Sequence, residues 1–251
     1  MSPADQTASA DTPAKPLPQA SVSDPQRSRL HWLVVVGAGL VLMLLIRGLV
    51  VQSFYIPSGS MEPTLHPADR ILVNKIGVAS SLQRGELVVF DGTHSFADPH
   101  AGAGSDQDSA LGSALEGMAS ILSIEVNQSD YVKRVIGLPG DHVVCCDANG
   151  LLTVNDVAVQ EQYLYMGDKP SDLTFEVTVP AERIWVMGDH RSDSADSRAH
   201  LGDPGGGMVL LDDVIGRAAM VYWPPGRAGI LAAPGSLKGI PAASTEGEGY
   251  K

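Results

Sequence analysis

The chain has 251 residues, 44% of them hydrophobic and 18% charged, enough for one catalytic domain of roughly 150–200 residues plus extensions. A formal net charge of −12, with no cluster of Lys and Arg, excludes nucleic acid as a partner, because phosphates need concentrated positive charge. The two cysteines, Cys145 and Cys146, are adjacent; that spacing fits no zinc or redox motif, and the expected reading is two reduced thiols on opposite faces of a strand, with a vicinal disulfide as the alternative.

Residues 1–29 are rich in Pro, Ala, Ser, Asp and Gln. They lack the apolar residues that offset the entropy of ordering, so a disordered tail is expected. From 30 to 51 the chain is apolar, uncharged between Trp32 and Ile46, with Arg47 near one end. A run approaching the roughly 20 residues that cross a bilayer predicts a single transmembrane helix. No small-residue cleavage pattern follows it directly, which argues against a removed leader. Lys15, Arg27 and Arg29 precede the run, and the next basic residue after Arg47 is Arg70. The positive-inside bias therefore places the N-terminus in the cytoplasm and residues 52–225 outside, on a plasma membrane.

Beyond the anchor the pattern shortens to β-type runs divided by turns. Strands are expected at Arg70–Ile76, Glu86–Phe90, Tyr131–Ile136, His142–Cys146, Leu151–Val154, Thr174–Val179, Arg183–Met187 and Val214–Tyr222. No helices alternate with them, so the fold class is mainly β, an antiparallel catalytic domain behind one N-terminal helix. Residues 92–130 break the pattern. Between His94 and Asp130 there is no Lys or Arg, and Leu111, Leu115, Met118 and Leu122 recur at helical spacing, the mark of a variable insertion with one short amphipathic helix. Residues 226–251 are rich in Gly, Ala and Pro and read as a loose tail.

Two segments carry the chemistry. Ser60 stands in Pro57-Ser58-Gly59-Ser60-Met61-Glu62-Pro63, stiffened by a proline on each side. Ser58 is placed to donate to a developing oxyanion. Lys133 lies in Tyr131–Gly137, an otherwise apolar run, and lysine is rarely buried without a partner or a purpose. A serine and a buried lysine make a nucleophile and its base. The amine must be neutral to accept a proton, which needs a pKa about 2–3 units below the ordinary value of about 10.4 and hence a dry site. His190, in Gly188-Asp189-His190-Arg191, is the competing base. A Ser-His-Asp triad stays open because triads assemble from distant positions. The polar segment Gly188–Arg198 supplies Asp, Arg and Ser that can hold a lysine in place.

The order of these segments resembles that of the type I signal peptidases, bacterial membrane-bound proteases with a Ser-Lys dyad. That pattern runs from a membrane helix through S-G-S-M-x-P-T-L, D-R-hydrophobic-hydrophobic-V-N-K and K-R-V-I-G-x-P-G-D to G-D-N-R-x-x-S-x-D-S-R. Here the matching residues are Ser58–Leu65, Asp69–Lys75, Lys133–Asp141 and Gly188–Arg198. The resemblance implies removal of signal peptides from exported preproteins at the outer membrane face, through an acyl-enzyme and without a metal or cofactor. It implies Ser60 as nucleophile and Lys133 as general base. Ser58 and the Ser60 backbone N–H would form the oxyanion hole, and Ser194 would orient the lysine. Asp189, Arg134, Asp196 and Arg198 would be ion-paired supports. His190 departs from the pattern, which has Asn there. Two rivals are a self-cleaving Ser-Lys protease of the SOS-repressor type, which would be soluble with a DNA-binding domain, and an anchored β-domain that binds without catalysis.

Overall fold

In the computed structural model, residues 32–43, 50–96 and 129–242 are described. The chain divides into two compact units, Met1–Leu42 and Met43–Lys251. A helix covers 32–43, and its apolar side chains, from Trp32 to Met43, are exposed. Among the described residues no helix is long and apolar enough to cross a membrane, and 30, 31 and 44–49 of the expected span lie outside them. The expected boundary at 51 is corrected. Val51 opens a strand rather than closing a helix, because Val51-Gln52-Ser53-Phe54-Tyr55 pairs residue for residue with Asn74 to Arg70.

Among the described residues the second unit has twelve strands: β1 (Val51–Tyr55), β2 (Arg70–Asn74), β3 (Leu87–Asp91), β4 (Asp130–Gly137), β5 (His142–Cys145), β6 (Thr153–Val154), β7 (Val157–Ala158), β8 (Phe175–Thr178), β9 (Arg183–Met187), β10 (Val209–Leu210), β11 (Val214–Trp223) and β12 (Gly229–Ile230). One sheet runs β1-β2-β11-β3-β4-β9-β10, with β12 on β11, and a smaller sheet runs β7-β6-β5-β8. Every pairing is antiparallel. All eight expected strands are present, with ends moved by a residue or two. The missed ones are β1, of which only Val51 fell in the expected helix, and three two-residue strands too short to show a period.

β4 is central and carries no simple alternation, for Lys133, Arg134, Val135, Ile136 and Gly137 are all buried. It lies between β3, where Val88 faces Lys133, and β9, where Met187 faces Arg134. Both faces are covered by apolar clusters. Ile136, Val143, Leu152, Trp185 and Met187 share one, and Val88, Phe90, Val135, Ile184 and Val186 share another. A third, with Phe54, Met61, Leu65, Ile71 and Val89, lies under the segment that carries Ser60.

Two expectations change here. The stretch from 226 is not loose as far as 242. Leu237 and Ile240 are buried in the main core, and Arg84 donates to the Ile240 carbonyl at 2.7 Å while also gripping Asp141 at 2.6 Å. Two apolar anchors and a carbonyl tie give this Gly/Pro-rich segment enough burial to order. Residues 243–251 lie outside the described residues. Cys145 and Cys146 form a vicinal disulfide rather than two thiols on opposite faces, because β5 stops at Cys145 and the alternation stops with it. The insertion at 92–130 is described only at its edges, where Phe96 is buried against Phe90 and His200; its Leu111/Leu115/Met118/Leu122 stripe lies outside the described residues.

Replacing Leu237 by Ala removes a fully buried side chain and is expected to cost about 2–4 kcal/mol of stability. The same change at Ile230, which is 85% exposed, should cost under about 0.5 kcal/mol. Urea unfolding of the two variants checks the contrast, and equal midpoints would return the C-terminal segment to a loose tail.

Candidate active site

Ser60 enters from β1. After Tyr55 the chain turns through Pro57 and Ser58 and closes a short coil in which the Glu62 N–H donates to the Gly59 carbonyl and the Leu65 N–H to the Met61 carbonyl, both at 2.9 Å. Met61 and Leu65 are the buried pegs of that coil, which leaves the Ser60 hydroxyl facing β4. There Lys133 Nζ lies 2.8 Å from Ser60 Oγ. Ser58 Oγ is 3.4 Å from the same oxygen, at the long end of a hydrogen bond. Lys133 is 4% exposed.

Burial lowers the Lys133 amine to about 8, against the opposing pull of the Asp196 and Asp189 carboxylates. Taking an ammonium out of water disfavours its charged form, and only nearby anions offset that. The supporting charges are themselves tied up. Asp196 receives the Arg198 guanidinium at 2.9 and 2.8 Å and the Gly188 N–H at 2.9 Å. Burial would raise its carboxyl, but the Arg198 hydrogen bond and charge prevail and hold it below the usual range.

Arg134 and Asp189 form a second, bidentate pair at 2.7 and 2.5 Å. Thr64 bridges it, donating to Asp189 at 2.5 Å and accepting from Arg134 at 3.2 Å. Arg134 also donates to the Gly85 carbonyl at 2.7 Å and lies 4.3 Å over the Tyr163 ring. Burial, and then the Glu161 carboxylate, pushes the Tyr163 phenol well above its ordinary value, so it stays neutral. Glu161 in turn pairs with Arg191, whose Nε donates to the Gly188 carbonyl at 2.8 Å. The loop from 188 to 198 is thus held by three buried arginines, each facing a carboxylate.

That loop meets Ser60 directly. The His190 N–H donates to the Ser60 carbonyl at 3.2 Å. Gly188 allows the approach, since a Cβ there would fall 2.6 Å from that same carbonyl oxygen. Ser60, Lys133, Ser58, Asp189, Arg134, Asp196 and Arg198 are brought together as the sequence implied. Ser194 is not joined to them by a hydrogen bond: its Oγ is buried beside Gly188 and has no partner, so the expected bond to Lys133 is not formed. Lys133 Nζ, and not a ring nitrogen of His190, is the group at hydrogen-bond distance from Ser60 Oγ, and His190 Nδ1 is buried without a partner. Thr64, Glu161 and Tyr163 were missed. Thr64 stood inside a recognised motif and was open to assignment; Glu161 and Tyr163 belong to a linker with no pattern of its own. Among the described residues no group of His, Cys, Asp and Glu is arranged to hold a metal.

The signal peptidase, peptidase S26 family model matches residues 29–223. A probable signal peptidase I of Mycobacterium leprae is 36% identical over 249 residues, covering 87% of this chain and 85% of its own. Signal peptidase I of Mycobacterium tuberculosis is 36% identical over 227 residues, covering 82% and 76%. That of Leptolyngbya laminosa is 32% identical over 229 residues, covering 90% and 96%.

Holding an amine whose pKa falls from 10.5 to about 8 has a thermodynamic signature. Between those values the unfolded chain carries the proton and the folded chain does not, so stability rises with pH through that window. Below about 8 the full cost, roughly 3 kcal/mol at 1.36 kcal/mol per unit, is present. Lys133→Met should therefore unfold at a higher temperature than the parent at pH 7, with the difference shrinking toward pH 10. A variant less stable than the parent at both pH values would show that Lys133 is not held against its charge.

Proposed function

This chain belongs to the signal peptidase family, peptidase S26, and from that premise we propose that it is a membrane-anchored serine endopeptidase that removes N-terminal signal peptides from exported preproteins with a Ser60–Lys133 dyad. One observation carries the reading: a buried lysine amine 2.8 Å from a serine hydroxyl. A lysine amine held dry within hydrogen-bond reach of a serine hydroxyl is the arrangement that a base taking the serine proton requires.

In the neutral state the Ser60 hydroxyl donates to the lone pair of Lys133 Nζ. As Ser60 Oγ attacks the scissile carbonyl, the proton passes to Nζ and the oxyanion forms beside Ser58 Oγ and the Ser60 N–H. The ammonium of Lys133 then protonates the departing amine, leaving an ester on Ser60. Water enters, gives its proton to the again-neutral Lys133, and attacks the ester. The tetrahedral intermediate collapses, Ser60 leaves with the proton from Lys133, and the cycle closes. The carboxylates of Asp196 and Asp189 lower the cost of the transient ammonium, while Arg134 and Arg198 keep those carboxylates from taking the proton themselves. Small residues at −1 and −3 of the substrate suit the family's shallow pockets, and an extended chain docks as an added strand.

Anchoring is supported by the exposed apolar helix over 32–43 and by the apolar sequence that continues beyond it. The basic residues before the helix favour an N-terminus in the cytoplasm and a catalytic domain outside. The preproteins would then meet the enzyme at the surface on which they emerge.

Ser60→Ala and Lys133→Ala should each lower preprotein cleavage more than about 1,000-fold in folded protein, and the double variant should be no worse, because a dyad acts as a unit. In the parent, kcat/KM should climb about tenfold per pH unit below about 8 and level off above it, as a base with the Lys133 pKa requires. A folded Lys133→Ala that still turns over sinks the dyad.

Topology has its own test. Protease added outside intact spheroplasts should digest the domain after Val51 and spare the N-terminal tail. A protected domain would reverse the orientation.

A further inference from the structure

The backbone of the nucleophile is held at one point by a segment whose own anchorage is unusual. His190 donates its N–H to the Ser60 carbonyl at 3.2 Å. The Nδ1 of its ring is buried and has no partner. The ring lies flat on Tyr165, with centroids 3.9 Å apart and planes 19° from parallel. Tyr165 grips the same segment a second time, its N–H donating to the Asp189 carbonyl at 3.0 Å, and the Asp193 N–H donates to the His190 carbonyl at 3.0 Å.

We propose that the Tyr165–His190 stack is a positioning clamp that sets the Ser60 backbone, and so the reach of its hydroxyl to Lys133 Nζ. The inference rests on the dyad reading above. A reacting hydroxyl must be held within a fraction of an ångström of its base, and a misplacement of about 1 Å can cost about 100-fold in rate. The clamp acts through shape. An imidazole here presents a flat face to Tyr165, which the smaller amide of Asn, the residue of the family pattern, covers less fully. The unpaired Nδ1 adds nothing to the hold, because a buried nitrogen without a partner is a cost and not a bond. Tyr165 is 37% exposed and Met166 beside it 92% exposed, so the clamp stands at the surface and rests on one ring contact and two backbone bonds.

The test uses the full-length protein in detergent, a soluble peptide carrying Ala at −1 and −3, a penem-type acylating inhibitor, and thermal unfolding. Tyr165→Ala and His190→Ala should each lower kcat about 10–30-fold and leave KM within about twofold. The rate of Ser60 acylation by the penem should fall in step. The double variant should be no slower than either single, since both remove one contact. The pH profile should keep its inflection near 8, because Lys133 remains the base. His190→Phe, which keeps the ring and removes the unpaired nitrogen, should recover most of the loss seen in His190→Ala without lowering the melting temperature. Tyr165→Leu keeps the volume and loses the flat face; it should show the same loss and serves if the alanine variants do not fold. The clamp is overturned if His190→Phe is as slow as His190→Ala, if KM rises while kcat holds, or if folded Tyr165→Leu keeps the parental kcat. Failure of the parent to acylate at Ser60 would instead remove the dyad reading.

Discussion

Everything in this site follows from keeping one amine dry. On the dyad proposed above Lys133 has to be neutral to act, and a lysine in water is protonated at neutral pH, so that role requires its solvent to be stripped without so much negative charge that the proton returns. β4 does the first by lying in the middle of the large sheet with both neighbours paired and five consecutive residues buried. The second is a matter of restraint. Asp196 and Asp189 are near enough to pull the Lys133 pKa back upward, but each is already committed to an arginine.

Those arginine–carboxylate pairs are best understood as geometry rather than as stability. Buried ion pairs seldom repay their desolvation in full. What they do here is fix the loop from 188 to 198 in one conformation, with five-donor guanidinium groups that also capture the carbonyls of Gly85, Gly188 and Arg191. A hydrophobic filling of the same space would pack, but it would not dictate where the Asp189–His190 backbone meets Ser60. The glycine at 188 belongs to the same requirement, since the backbone must come too close to Ser60 for any side chain there.

Much of this was legible in the sequence because strands and motifs are local signals. The β runs were visible from their alternation and their turns, and the Ser60 and Lys133 segments from residue types that are odd in their context. What was not legible depends on partners far away in the chain. Leu237 and Ile240 gave no sign of belonging to the core, because a lone pair of apolar residues in a Gly/Pro-rich stretch shows no period. β1 opens at Val51, the last residue of the expected apolar helix, and its strand character shows only once β2 is there to pair with it. Glu161 and Tyr163 acquire meaning only beside Arg191 and Arg134. Ser194 failed for a different reason. It lies against Gly188, but its hydroxyl is not bonded to the lysine, and a motif position does not fix a hydroxyl's partner.

The place of β11 in the large sheet has a temporal consequence. β1 and β2, the hairpin that carries Ser60 between its strands, touch the rest of that sheet through β11, which is inserted between β2 and β3. β11 is Val214–Trp223, near the end of the chain. The β3–β4 and β4–β9 pairings join stretches closer together in the sequence, whereas the sheet pairing that links the serine hairpin to β3 waits for β11. Such long-range closure is slow compared with local folding. The serine hairpin therefore joins the large sheet through its most sequence-distant pairing, and that part of the fold is completed by a long-range contact rather than a local one.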